Sequence, residues 1–199
     1  MSIKQYGKVR WGTEAIDWQE RVNMPRMREE RAARTRTKMK EYGFAVMILT
    51  SGTNRRYATA IHASTMAETV PGSSGLTLVF AEENTEDMID YSLEGNLTKH
   101  AKIHCPWLKP ENIRTCYSME PSMGSEAVTE FAKKQAKDIV QVLKEKGLVK
   151  EQVAYDALSP ALLAALENEG SILTAAPKLM VEARVIKTQD EINCMRMGG

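Results

Sequence analysis

The chain has 199 residues, with 27 Lys+Arg against 26 Asp+Glu and a formal net charge of +1. That length suits one domain with a sizeable core, and the balanced charge removes the general reason to look for a polyanion, so no nucleic acid partner is expected. Cys105, Cys116 and Cys194 form no CxxC pair, and no apolar run reaches the length of a signal core or a membrane span, which together predict reduced thiols, no membrane partner and a soluble cytoplasmic protein.

Residues 1–23 mix glycine, charges and two tryptophans without a period and read as an N-terminal arm. Trp11 and Trp18 are costly to leave in water, so they are expected to dock, on this chain or on a second copy. Asn23 as a cap and Pro25 in the first turn start a helix that Gly43 ends, with an apolar stripe of Met24, Met27, Ala32, Met39 and Tyr42 and its arginines facing solvent. FAVMILT, residues 44–50, is a continuous apolar run, as in a strand buried on both faces.

Residues 51–54 read as a turn and 55–60 as a short helical turn. Residues 76–80 follow PGSSG as the next strand, and 88–92 pair with it as a hairpin or adjacent edge. A modest helix over 96–108 is stopped by prolines, and a short strand spans 112–117. Ser125 caps a long helix whose Val128, Phe131, Ala132, Gln135, Ile139, Val142 and Leu143 recur at helical spacing until Gly147. VAYDAL (153–158) is a strand, Ser159 and Pro160 start a Leu-rich helix, and SILTAA (171–176) is the last strand. A helical stretch over 177–186 follows. Thr188 and Glu191 then have the spacing of a capping box, for a helix with little left to pack against. Strands separated by helices predict an α/β fold with a mixed, largely parallel sheet flanked by helices.

The chemical signals are sparse. His100 and His104 stand four apart, but no third ligand frames them, and they read as solvent-facing. TSGTN lacks the endings of a P-loop or dinucleotide turn, and no GxSxG or HRD appears. The run over residues 21–40 carries eight positive side chains against Glu29 and Glu30. With no aromatic residues interleaved, it reads as a solvated helix face rather than a nucleic acid surface. His62, in a polar loop, is the histidine most suited to function.

Three stretches carry a family resemblance. They are the charged helix and strand RMREERAARTRTKMKEYGFAVMILTS, the turn TNRRYATAI, and EARVIKTQDEINCMR, residues 182–196. Together they resemble the N-terminal domain of the creatinase, prolidase and aminopeptidase P family. Asn54, Tyr57 and Thr59 match its Asn-x-x-Tyr-x-Thr-Gly-aromatic turn, while Ala60 replaces the usual glycine and Ile61 the aromatic residue.

The resemblance implies a ribonuclease H-like α/β domain over 24–186 and the start of a linker helix at 187–199. It also implies a catalytic pita-bread domain outside this chain, in which two Asp, one His and two Glu hold two divalent metals (Mn, Co or Zn). No catalytic or metal-binding residue, and no cofactor, is then expected in this chain. The implied role is dimerisation and substrate gating in an Xaa-Pro peptidase-like hydrolase working as a homodimer on a peptide or small zwitterionic substrate. Relatives that cleave creatine or act as lyases, and a stand-alone interaction module, are the alternatives. On this reading His62 and Arg56 reach towards a substrate carboxylate, Asn54 and Tyr57 pin the turn, and Trp11 and Trp18 are dimer candidates.

Overall fold

The computed structural model of the protein describes residues 22–61, 75–93, 105–117 and 121–198. The tryptophan arm up to residue 21, His62, and the part of the expected 96–108 helix that holds His100 and His104 lie outside the described residues. Residues 105–108 form a turn, with Leu108 N donating to Cys105 O at 3.1 Å.

Helix α1 runs Met24–Glu41, with the Asn23 side chain accepting from Arg26 N at 3.0 Å and Gly43 beyond its end at φ +76°. It buries Met27, Ala32, Thr35 and Met39, whereas Met24 and Tyr42, expected on that stripe, are exposed. Strand β1 (Val46–Leu49) is buried along its whole length. Residues 51–60, read as a turn and then a helical turn, form one helix, α2 (Gly52–Thr59).

Strands β2 (Gly75–Phe80), β3 (Ile89–Leu93) and β4 (Ile113–Cys116) follow. Next come α3 (Ser125–Glu145), β5 (Gln152–Tyr155) and α4 (Pro160–Asn168). The chain continues through β6 (Ile172–Ala175), α5 (Pro177–Val185) and α6 (Gln189–Gly198). Gly124, not Ser125, occupies the α3 cap position. Strand β5 stops before Asp156 because that carboxylate turns back to bind backbone N–H groups.

The six strands form one sheet in the order β4-β3-β2-β1-β5-β6. Strands β1, β2 and β3 run antiparallel to their neighbours in that group, and the β3–β4, β1–β5 and β5–β6 pairs are parallel. The alternation of side chains along β1 divides the core. Val46 and Ile48 join Ile139, Leu143 and Leu166 under α3 and α4, while Met47 and Leu49 join Met39, Ala58, Leu179 and Met180 under α1, α2 and α5.

One full charge pair is sealed inside the second of these layers. Arg55 of α2 donates from Nη2 to Asp90 Oδ1 at 2.8 Å, and the two side chains are 2% and 0% exposed. Thr77, the cross-strand partner of Asp90, donates to the same oxygen at 2.5 Å and accepts from Arg55 Nε at 3.2 Å. Gly75 makes room for this arrangement. It sits at φ +116°, and a Cβ there would stand 2.0 Å from Tyr91 O and 3.2 Å from Arg55 Nη1.

Replacing Gly75 by Ala is therefore expected to lower stability by about 2 kcal/mol or more, read by urea denaturation. Arg55→Leu alone strands the buried Asp90 carboxylate and should cost about 3–5 kcal/mol. Adding Asp90→Leu should recover part of that loss, whereas additive losses would show that the pair is not coupled.

Candidate functional site

Helix α2 opens without a side-chain cap of its own at Ser51, and the Asp156 carboxylate supplies one from across the sheet. It accepts from Thr50 N at 2.9 Å, Ser51 N at 3.2 Å and Asn54 Nδ2 at 2.9 Å. Rather than closing a local turn, Asn54 passes this link on, its Oδ1 accepting from Arg184 Nη1 of α5 at 3.0 Å. One turn later Tyr57 is buried, its hydroxyl donating to Ala183 O at 2.8 Å while the Arg31 guanidinium lies 5.3 Å from its ring centre. Burial is the main cause that raises the Tyr57 pKa, so the phenol stays a neutral donor.

Ala60 ends α2 in the left-handed region, at φ +60°, the position where the resembled motif carries glycine. The neighbouring Thr59 carbonyl, left over at the helix end, accepts from Trp107 Nε1 at 2.9 Å. This brings Trp107 beside α1, where Arg28 stacks over its ring at 3.9 Å.

Helix α6 is joined to α1 by two carboxylates. Asp190 accepts from Arg26 Nε at 2.8 Å, Arg26 Nη2 at 2.9 Å and Asn23 N at 3.0 Å. Glu191 accepts from Arg31 Nε at 3.0 Å and, as the far half of the capping box, from Thr188 N at 2.8 Å. The capping box thus forms as the sequence predicts, yet the helix does have a surface to pack on.

An open cleft of about 630 Å³ lies between α1, α2 and the α5–α6 corner. Its polar wall holds Arg28, Arg31, Arg56, Arg184 and Lys187 and, among the described residues, one carboxylate, that of Glu191. Its apolar wall includes Met24, Met27, Tyr57, Trp107 and Met195.

Of the residues singled out from the sequence, Arg56 and Tyr57 line this cleft, and Asn54 lies behind it as the support of Arg184. Arg56 is exposed, and His62, Trp11 and Trp18 fall outside the described residues. Arg28, Arg31, Trp107, Arg184 and Lys187 were not singled out. The spacing of Arg28 and Arg31 on one helix face was the available signal, but it was read as part of a solvated surface.

Among the described residues no three His, Cys, Asp or Glu side chains gather to hold a metal ion, and no helix is long and apolar enough to cross a membrane. All three cysteines are free, and burial pushes the thiols of Cys105 and Cys116 up to about 12, far from nucleophilic at neutral pH.

The model of the creatinase/prolidase N-terminal domain matches residues 31–186, and the chain belongs to that family. The aminopeptidase P, an Xaa-Pro aminopeptidase, of Streptococcus thermophilus is similar in structure at TM-score 0.52 and 19% identity, over 78% of this chain and 96% of that one. The N-terminal domain of the cytoplasmic peptidase PepQ of Mycobacterium tuberculosis H37Rv aligns at 0.51 and 18%, over 78% and 99%. The Xaa-Pro dipeptidase of Bacillus anthracis aligns at 0.53 and 17%, over 82% of this chain but 38% of its own length. No curated protein sequence matches the chain. At these identities the likeness establishes the fold, a mixed sheet flanked by helices, as expected from the sequence.

Three measurements test the architecture of the site. Tyr57→Phe should lose about 1 kcal/mol of stability with its hydroxyl contact, whereas Arg56→Ala should stay within about 0.5 kcal/mol of the parent. Ala60→Gly should raise stability by about 0.5–1 kcal/mol by relieving the left-handed backbone. The Arg26 hydrogen bond, ahead of backbone and charge effects, holds the Asp190 carboxyl below its ordinary value. Its stabilisation is thus complete above the unfolded pKa of about 3.9 and fades as pH falls through the lower folded value. The melting-temperature gap between the parent and Asp190→Asn should accordingly be widest near neutrality and close in acid.

Proposed function

We propose that this chain acts as the non-catalytic N-terminal domain of a metal-dependent Xaa-Pro peptidase-like hydrolase. It would assemble as a homodimer in the cytoplasm and restrict access to the active site of a neighbouring catalytic domain. The single observation behind this reading is the placement of Arg56. Its exposed side chain stands on a helix held from three sides by Asp156, Asn54 and Tyr57, immediately before the segment that begins at His62. A guanidinium on a helix held in this way suits recognition of a substrate carboxylate, since its backbone is already fixed and its planar fork matches the two oxygens. The neighbours' Xaa-Pro activities supply the substrate class by analogy, and a small zwitterion related to creatine meets the same chemistry.

Exposed apolar side chains support the dimer. Val181, Val185 and Ile186 are 59%, 64% and 73% exposed along α5 and its end. Among the described residues strand β6 ends the sheet, with Ile172 also exposed. The same surface would serve a stand-alone interaction module, which is the second reading.

The isolated chain should retain no stoichiometric Mn, Co or Zn after dialysis and should release no product from an Xaa-Pro dipeptide. Turnover by this chain alone would overturn the proposal. In a full-length protein carrying this domain, Arg56→Ala should raise KM by about tenfold with a smaller change in kcat. Sedimentation should show the dimer converted to monomer by Val185→Glu with Ile186→Glu.

A further inference from the structure

The cleft between α1, α2 and the α5–α6 corner is lined, among the described residues, by more cationic than anionic side chains. Five cationic side chains line it against Glu191, and that carboxylate is committed to Thr188 N and to Arg31 Nε. Arg28 is the cation with a buried donor left over. Its side chain is only 15% exposed, its Nε is buried with no hydrogen-bond partner, and its nearest carboxylate is Glu29 at 3.9 Å. Glu29 is itself 56% exposed and already accepts from Thr85 Oγ1 at 2.8 Å. Stacking on Trp107 holds the guanidinium plane in place, but an aromatic face does not satisfy an N–H donor. Burial is also the leading cause that lowers the Arg28 pKa, in keeping with a cation short of counter-charge.

We infer that this cleft binds a carboxylate carried on an apolar body, with Arg28 facing the carboxylate, Lys187 beside it using donors beyond the one it gives to the Arg184 carbonyl, and Met24, Met27 and Met195 around the body. The volume of about 630 Å³ lies in the range of small-molecule pockets. A fully hydrated dianion such as phosphate fits the chemistry less well, because it would lose hydration against methionine and aromatic side chains that an apolar body would instead cover. An extended polyanion is disfavoured too, since Arg26 on the same helix is already neutralised by Asp190. The inference does not depend on the proposed peptidase role, because every residue it uses belongs to this chain.

The test uses the 199-residue chain, with N-acetyl-tryptophan as the probe, its amide as the uncharged control, and methionine-methyl NMR as the readout. The acid should shift the Met24, Met27 and Met195 methyls saturably and bind about tenfold more tightly than the amide. Arg28→Gln should remove most of that preference and Arg28→Lys should restore part of it. Should Arg28→Gln fail to fold, Lys187→Gln at an exposed position carries the same expectation in weaker form. Equal affinity for acid and amide, shifts confined to other methionines, or an unchanged preference in a folded Arg28→Gln would overturn the inference. Displacement of the probe by inorganic phosphate at comparable concentration would overturn its apolar half.

Discussion

A guanidinium and a carboxylate sealed beneath α2 set the terms for the rest of the molecule. Neither Arg55 nor Asp90 can be left alone inside the sheet layer, because desolvating a single charge costs several kcal/mol. Their contact therefore fixes where α2 sits over β2 and β3, and Thr77 adds the cross-strand bond that keeps the two strands in register. Gly75 is the backbone counterpart of the same constraint, since no other side chain leaves room for Tyr91 O and Arg55 together.

With α2 held in this way, three further carboxylates fasten the layers that meet around it. Asp156 closes the open end of α2 from the parallel half of the sheet, and Asp190 and Glu191 bring α6 against α1. Each carboxylate binds two or more donors, so each junction resists sliding as well as separation. The cleft exists because these junctions surround it without filling it. Two of its five cations, Arg28 and Arg31, lie over the rings of Trp107 and Tyr57.

The family match gives this architecture its context. The turn that carries Asn54, Tyr57 and Thr59 is structural at its base and exposed at Arg56, so recognition and support are divided between neighbouring residues of one short helix. Ala60 departs from the family motif at the one non-glycine position among the described residues with a positive φ. The backbone conformation is kept there although the residue best suited to it is not.

Local chemistry by itself determined the helix starts at Asn23 and Ser159, the glycine stops at Gly43 and Gly147, the capping box at Thr188 and Glu191, and the apolar β1 run. These features depend on residues a few positions apart, which is the range over which propensity and periodicity carry information. The turn motif and the closing segment were legible as family likeness. The partners of Arg28, Arg55, Asn54 and Asp190 were not legible, and the basic helix therefore looked like a solvated surface. Asn23 and Asp190 are 167 positions apart and Thr50 and Asp156 are 106 apart. A charged side chain carries no local mark of which distant group will meet it, so only the folded chain decided which arginines became structure, which line the cleft, and where α6 came to rest.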